Sequence, residues 1–323
     1  MSTEVLEHFG LTKEFKKSGY YETPNIKQIF KDIKNDIQYG RLVVVTGIVG
    51  SGKTVFLRRL QESLLQENKV IVSRSLAVDK ARATIDTLIS ALFYDLSDDK
   101  DVKVPTKPEK RERELNELIK IKKKAIVLFV DEAHDLYYQT LTKIKRLMEV
   151  VEADGGILSV LLLGHPKLRN DLRRPTMEEI GYRSVNYSLN DVIVNRREYI
   201  EWLIKESTAK GTKISDLLDD SAIELLATSL RTPLQIEEHL MRSFREAYKI
   251  GEKPVSADVV RSILSEQIND LEPILIRNGY SIKNLAEQLN VKPAEIRALY
   301  KGQLDVVRSR ELLEQMRISG LPI

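Results

Sequence analysis

The segment GIVGSGKT at residues 47–54 constrains the fold of this 323-residue chain more than any other feature. It matches the pattern G-x-x-x-x-G-K-[ST] at Gly47, Gly52, Lys53 and Thr54. The apolar run LVVV precedes it and a helical pattern follows it, which is the strand–loop–helix setting that the motif requires. The segment predicts a phosphate-binding loop, because glycines allow backbone N–H groups to turn inward around an anion. A glycine-rich turn without a ligand is the alternative.

The loop residues have distinct expected roles. Lys53 is expected to reach the β- and γ-phosphates of a nucleotide, and the Thr54 hydroxyl is expected to bind Mg²⁺. The helix that begins near Lys53 adds the positive end of its dipole. The predicted cofactors are therefore ATP and Mg²⁺. The predicted nucleotide contacts are Gly47, Ile48, Val49, Gly50, Ser51, Gly52, Lys53, Thr54 and Val55.

A second motif, LFVDEAH, places two carboxylates at the end of an apolar strand. In open parallel sheets, ligands bind at the carboxyl ends of the strands. Asp131 is therefore predicted to hold Mg²⁺ through water, and Glu132 to polarise the attacking water. The alternative is that the two carboxylates cap the following helix. Together the two motifs predict an Mg²⁺-dependent ATPase.

The hydrophobic pattern divides the chain into four predicted segments. Residues 1–40 form an N-terminal lead-in, and residues 41–190 alternate short apolar strands with helices. This alternation predicts an α/β fold with a parallel sheet that helices cover on both faces. Residues 191–263 show helical patterns only, and residues 264–323 form a further small helical unit.

Composition excludes several classes of site. The chain has no cysteine, which excludes disulfides and thiolate metal sites, and its four histidines show no metal-ligand spacing. No signal peptide and no apolar segment of ~18 residues is evident, so we expect a soluble, cytoplasmic protein without a membrane partner. The net charge of +3 is weak evidence for a nucleic-acid partner.

The segment NGYSIKNLAEQLNVKPAEIRALYKG predicts a helix-turn-helix. Ser281 caps the first helix, Asn290 tolerates the left-handed turn, and Pro293 suits the first turn of the second helix. The second helix exposes basic groups that are candidates for DNA contact, with a helical protein-docking module as the alternative. A second candidate DNA surface lies in the polar loop before the Asp131 strand. The candidate DNA-binding residues are Lys103, Lys107, Lys292, Arg297 and Lys301.

Five segments together resemble the ExeA-like branch of AAA+ ATPases: HFGL, GIVGSGKT, LFVDEAH, LLLGHPKLR and RTPLQIEEHL. That branch is similar to the transposon ATPase subunits TniB, IstB and TnsC and to the bacteriophage Mu B protein. The resemblance spans about residues 8–262. It implies an AAA+ P-loop sheet with a helical lid, and a homo-oligomeric ring or filament in the ATP-bound state. It also implies double-stranded DNA and a transposase, or another protein of the same element, as partners.

The resemblance also implies roles for single residues. His165, at the end of the strand 158–163, would sense the γ-phosphate; the alternative is a loop histidine that caps the next helix. Arg183, before the last strand, would reach the ATP of a neighbouring subunit, with Arg173 and Arg174 as alternatives. Leu234 stands where the group usually has the second-sensor arginine, with Arg231, three residues earlier, as the alternative. Hydrolysis is therefore expected to be slow or dependent on a partner.

The leading hypothesis from sequence is a DNA-binding ATPase that oligomerises on duplex DNA and recruits or activates a transposase. An ATP-dependent transcriptional or signalling switch with a DNA-binding tail is the main alternative. A secretion or assembly ATPase without DNA contact is the third hypothesis.

Overall fold

The computed structural model describes residues 1–74, 84–97, 103–190, 193–265 and 267–323. The chain divides into two compact units. We call Asn25–Ile48 with Lys53–Leu189 the sheet unit, and Met1–Pro24, Val49–Gly52 and Asn190–Ile323 the helical unit. The start of the predicted helix at 79–83 and the start of the predicted loop at 98–102 lie outside the described residues.

The sheet unit contains a parallel sheet in the strand order β2-β3-β4-β1-β5. Strands β1 and β4 are buried along their whole length, as their uninterrupted apolar runs predict. The described strands are β1 (Leu42–Thr46), β2 (Val70–Arg74), β3 (Ala125–Val130), β4 (Leu158–Gly164) and β5 (Ser184–Ser188).

Helices flank this sheet and bury one apolar face each. In the first of them, Ile26, Ile29, Ile33 and Ile37 recur at helical spacing and are all buried. The helices of this part are α2 (Pro24–Gln38), α3 (Lys53–Glu67), α4 (Ile85–Leu96), α5 (Pro108–Lys122), α6 (Tyr138–Ala153), α7 (Pro166–Leu172) and α8 (Glu178–Gly181). The predicted α/β fold is confirmed.

Strand pairing brings three strand ends together. β3 and β4 are neighbours, with Val130 opposite Leu162, and β4 and β1 are neighbours, with Thr46 opposite Gly164. Because all the strands are parallel, their carboxyl ends lie along one edge of the sheet. The residues that follow these ends are therefore close in space although they are far apart in sequence.

The helical unit has a separate apolar core that includes Phe9, Leu203, Leu226, Leu240 and Phe244. Its helices outside the C-terminal segment are α1 (Thr3–Phe9), α9 (Arg196–Ser207), α10 (Asp220–Ser229), α11 (Pro233–Ile250) and α12 (Ala257–Ile263). None of the described residues between 193 and 265 lies in an extended strand, as the sequence pattern predicts.

The loop segment Val49–Gly52 belongs to the helical unit. The Gly50 carbonyl accepts a hydrogen bond from Leu234 N–H at 3.3 Å, and Val49 N–H donates to the Arg277 carbonyl at 2.9 Å. These contacts hold the middle of the loop against the start of α11 and the end of a further helix, α13 (Leu271–Arg277).

The C-terminal segment has its own small core around Leu275, Tyr280, Leu285, Ile296 and Met316. After α13 come α14 (Ile282–Leu289), α15 (Pro293–Tyr300) and α16 (Val306–Ile318). The predicted local signals are confirmed. Ser281 caps α14 by accepting from Asn284 N–H at 3.2 Å, Asn290 is left-handed at φ 53°, and Pro293 is the first residue of α15.

Across the described part of the chain, no helix is both long enough and apolar enough to span a bilayer.

Candidate nucleotide site

The phosphate-binding loop connects β1 to α3. Gly50 and Gly52 have φ of 83° and 89°, a conformation that residues with a side chain rarely adopt. Their left-handed backbone turns the chain tightly between Thr46, the last residue of β1, and Lys53, the first residue of α3. The loop therefore leads directly into a helix N-terminus, where unpaired N–H groups and the helix dipole favour an anion.

The Lys53 side chain lies inside this loop. Lys53 is only 8% exposed, and its Nζ donates to the carbonyls of Gly47 at 2.8 Å and Ile48 at 3.2 Å. Burial lowers the pKa of Lys53, while the negative charges of Glu132 and Asp131 oppose that shift. A cation in this position is placed to neutralise a phosphate held by the loop.

Two loop hydroxyls fit a triphosphate with its metal. The Ser51 hydroxyl is buried and has no hydrogen-bond partner among the described residues, which leaves a polar atom free for an anion oxygen. Thr54 is exposed in the first turn of α3, and Asp131 follows β3. Hydroxyl and carboxylate oxygens are the ligand type that Mg²⁺ prefers.

The acidic pair follows β3 in a strained turn. Asp131 Oδ1 accepts the Glu132 N–H at 2.8 Å, and Glu132 itself is left-handed at φ 53°. The Glu132 carboxylate makes no cap bond to the short helix Ala133–Asp135 that follows. Its Oε2 lies 3.4 Å from His134 Nδ1 and 3.9 Å from His165 Nε2. The carboxylate thus faces the two histidines, which does not support the capping alternative for Glu132.

His165 immediately follows β4 and precedes α7, but its side chain makes no cap bond to that helix. Instead its Nδ1 lies 3.4 Å from Lys53 Nζ. Burial, with the positive charge of Lys53, lowers the pKa of His165 to about 4, so the ring is neutral near pH 7. The histidine links the lysine of the loop to the carboxylate of Glu132.

His134 is a residue of this site that the sequence did not indicate. Its ring centroid lies 4.1 Å from that of His165, and its Nδ1 accepts the His165 N–H at 3.4 Å. Gly164 makes room for it, because a Cβ there would lie 3.2 Å from the His134 backbone nitrogen. The only sequence signal was that each histidine follows the end of an apolar strand.

The candidate trans-acting arginine lies elsewhere in the sheet unit. Arg183 is 57% exposed at its side chain and forms an ion pair with Glu149 of α6. Of its alternatives, Arg174 pairs with Asp171 at 2.9 Å, and Arg173 lines a cavity of about 430 Å³ together with Arg169 and Tyr182. The exposure of Arg183 is compatible with contact to a second subunit.

In the helical unit, the charges of two arginines, Arg231 and Arg277, influence each other. Burial lowers the pKa of Arg277, with a further contribution from the charge of Arg231. Arg277 donates to the Ile268 carbonyl at 2.9 Å, but its buried Nη2 has no partner among the described residues. Leu234, at the usual second-sensor position, is 48% exposed.

The candidate DNA-binding residues are exposed and fall in both units. Lys103 and Lys107 precede α5 in the sheet unit. Lys292, Arg297 and Lys301 lie on or beside α15 in the helical unit.

Comparisons with known proteins agree with this fold. Residues 35–172 match the family model described as an AAA domain. The chain is 30% identical over 148 residues to the general secretion pathway protein A of Aeromonas hydrophila, which confirms the predicted likeness to ExeA over that segment. The aligned segment covers 45% of this chain but only 26% of that protein.

Three solved structures share the fold over nearly the whole chain. The ORC2 protein of Aeropyrum pernix has a TM-score of 0.53 at 13% identity, covering 96% of this chain and 91% of that one. Cdc6p of Pyrobaculum aerophilum has a TM-score of 0.51 at 17% identity, covering 99% and 85%. The Drosophila ORC structure bound to DNA has a TM-score of 0.54 at 13% identity, covering 97% and 82%. At these identities the likeness concerns the fold alone.

The fold and the site define an ATPase with the AAA+ P-loop fold that uses ATP and Mg²⁺. It is similar over 148 residues to the secretion pathway protein of Aeromonas hydrophila, and in fold to the Aeropyrum, Pyrobaculum and Drosophila proteins above.

Proposed function

We propose that this chain is a DNA-binding ATPase that oligomerises on duplex DNA in the ATP-bound state and recruits or activates a transposase. One observation carries the proposal. An AAA domain is joined to a C-terminal helical segment with its own core, and three basic side chains on or beside α15 form no ion pair with any described residue. In this proposal residues 264–323 form a helix-turn-helix domain, residues 191–263 form the lid, and the protein acts in the cytoplasm.

The charge pattern on α15 supports DNA contact. Lys292, Arg297 and Lys301 are exposed and form no ion pair with any described residue. Arg308 differs, because it pairs with Glu295 at 3.0 Å and Glu311 at 2.9 Å and so stabilises the segment internally. Unpaired cations on one helix are available to displace counterions from phosphates.

The site residues carry the ATPase chemistry in this proposal. Lys53 neutralises the β- and γ-phosphates, while Thr54 and Asp131 hold Mg²⁺, which supplies charge neutralisation at the transferred phosphoryl group. Glu132 orients and polarises the attacking water. His165 is neutral and lies next to Lys53. It senses the γ-phosphate and couples that contact to Asp131 and Glu132.

Oligomerisation enters through Arg183. Its exposed guanidinium would leave Glu149 and stabilise transition-state charge on the ATP of a neighbouring subunit. Without the usual arginine at Leu234, turnover is expected to be slow or stimulated by a partner. A slow ATPase suits a switch that assembles with ATP and dissociates after hydrolysis.

A gel-shift titration tests the DNA proposal. Duplex of arbitrary sequence is expected to bind with ATP and not with ADP. Replacing Arg297 and Lys301 by alanine removes two phosphate contacts and reduces the slope of log affinity against log salt by about 1.8. The matched control replaces Lys210 and Lys213, which are also exposed, and should leave the slope unchanged. An equal slope in both double variants would refute DNA contact by α15.

A second candidate is supported by the apolar surface of α16. Val306, Val307 and Ile318 are 74%, 68% and 79% exposed, which favours a protein partner for the C-terminal segment. Unlike the transcriptional or signalling switch, whose tail binds DNA, such a chain is a secretion or assembly ATPase without DNA contact. Binding to one specific duplex indicates the former, and no DNA binding at low salt indicates the latter.

A further inference from the structure

We infer that Glu132, His134 and His165 form a binding site for one Zn²⁺ ion, and that this ion inhibits ATP hydrolysis. The inhibitory half rests on the proposed role of Glu132, whereas the binding half does not. In the described part of the chain, each of these residues offers one ligand atom, and the three atoms lie within 4.8 Å of one another.

The spacing matches the demand of a tetrahedral ion. With metal–ligand bonds near ~2.1 Å, two ligands of a tetrahedral Zn²⁺ stand about 3.4 Å apart. Glu132 Oε2 lies 3.4 Å from His134 Nδ1 and 3.9 Å from His165 Nε2. Two of the three separations between ligand atoms are therefore close to the distance that the metal requires.

The types of ligand atom at this site favour Zn²⁺ over Mg²⁺. Imidazole nitrogens suit Zn²⁺ and similar transition metals, whereas Mg²⁺ prefers oxygen ligands and keeps much of its water. A set of two histidines and one glutamate with an open fourth position is a zinc set found in hydrolases. The site is therefore distinct from the proposed Mg²⁺ position at Thr54 and Asp131.

The residues around the histidines modulate the site in opposite directions. Asp135 Oδ1 lies 3.8 Å from His134 Nε2, on the nitrogen away from Glu132, where a carboxylate orients a metal-binding imidazole. Lys53 Nζ lies 3.4 Å from His165 Nδ1, so its charge opposes a bound cation. Zinc binding requires Lys53 to move away from His165, which a phosphate held by the loop would favour.

Inhibition follows from the ligand role of Glu132. A carboxylate oxygen that coordinates Zn²⁺ is no longer a free acceptor for the proton of an attacking water. The nucleotide-binding loop supplies none of the three zinc ligands, so ATP should remain bound while its hydrolysis stops.

Calorimetric titration of the full chain with Zn²⁺, without nucleotide or DNA, tests the binding half. One site is expected, and assignment is simple because the chain has no cysteine and only four histidines. His134→Gln and His165→Gln should each weaken binding at least tenfold, whereas the exposed His8→Gln should not. Lys53→Ala should bind Zn²⁺ more tightly, a gain that a misfolded variant would not show. Absence of a site, or equal affinity in all variants, overturns the inference.

Hydrolysis assays at constant excess Mg²⁺ test the inhibitory half. Rising free Zn²⁺ should lower the rate of the unmodified chain, and His134→Gln should need at least tenfold more Zn²⁺ for the same fractional inhibition. Comparison at equal free Zn²⁺ cancels any effect of zinc on ATP itself. Equal sensitivity of the two proteins overturns the inhibitory half. Failure of DNA binding would leave both zinc results unaffected, so the two proposals fail separately.

Discussion

Gly50→Ala should destabilise the helical unit through a specific steric conflict. A Cβ at Gly50 would lie 2.8 Å from Thr232 Oγ1 and 2.9 Å from the Cβ of Leu234, distances that require the neighbours to move. Thr232 is buried and caps α11 by accepting the Gln235 N–H at 3.3 Å, so it cannot move without weakening that cap. The left-handed φ of 83° adds a backbone cost of its own.

The magnitude has two parts. Placing a side chain at a left-handed residue costs ~1–2 kcal/mol, and the overpacking at Thr232 and Leu234 adds ~1–3 kcal/mol. We therefore expect a total loss of ~2–5 kcal/mol in the free energy of unfolding. A loss of this size is a large fraction of the free energy of unfolding of an ordinary domain, which is ~5–15 kcal/mol.

Urea unfolding, followed by circular dichroism without nucleotide, measures this loss. Gly251→Ala is the matched control in the same unit, because Gly251 has φ 72° and nothing within 4 Å of a built Cβ. It isolates the backbone cost, so the difference between the variants is the steric part alone. If both variants lose the same stability, the contact of the loop with Thr232 and Leu234 does not constrain the protein, and the reasoning is refuted.

Three further predictions concern the site and the core. Glu132→Gln should bind ATP with unchanged affinity but hydrolyse it ~10²–10⁴-fold more slowly; single-turnover assays measure this, and full turnover would remove Glu132 from its role. Arg183→Ala should lose ATPase activity while nucleotide affinity is kept, and loss in Arg173→Ala instead would reassign the trans-acting arginine. Burial raises the pKa of Glu237, and the hydrogen bond from Tyr199 at 2.8 Å opposes that shift. Tyr199→Phe should lower the free energy of unfolding by ~1.5–3 kcal/mol at pH 8, where Glu237 is ionised and accepts the hydrogen bond as a charged group. The loss should be clearly smaller at pH 4, because the raised pKa of Glu237 keeps its carboxyl protonated there. Unfolding curves at both values measure the difference, and an equal loss contradicts it.

Features encoded locally could be predicted from the sequence. The cap at Ser281, the left-handed turn at Asn290 and the helix start at Pro293 each depend on one residue and its neighbours, and all three are present. The motif around Lys53 and the strand before Asp131 are equally local, and both lie where the sequence placed them.

Features that depend on strand order could not be predicted in the same way. His134 and His165 are 31 residues apart in sequence and meet because β3 and β4 are neighbours in the sheet. Likewise, the close approach of Gly50 to Thr232 depends on the packing of the helical unit. Spacing along the chain carries no signal for either contact, because both arise from long-range packing.

The left-handed backbone at Glu132 lowers the stability of the fold at a residue that the proposed activity requires. A non-glycine residue held at φ 53° carries conformational strain of ~1–2 kcal/mol, which glycine at the same position would not carry. Glu132→Gly should therefore raise the unfolding midpoint while it removes the carboxylate that the proposed chemistry needs. Selection of this protein for heat resistance alone would enrich variants at position 132 that no longer turn over ATP.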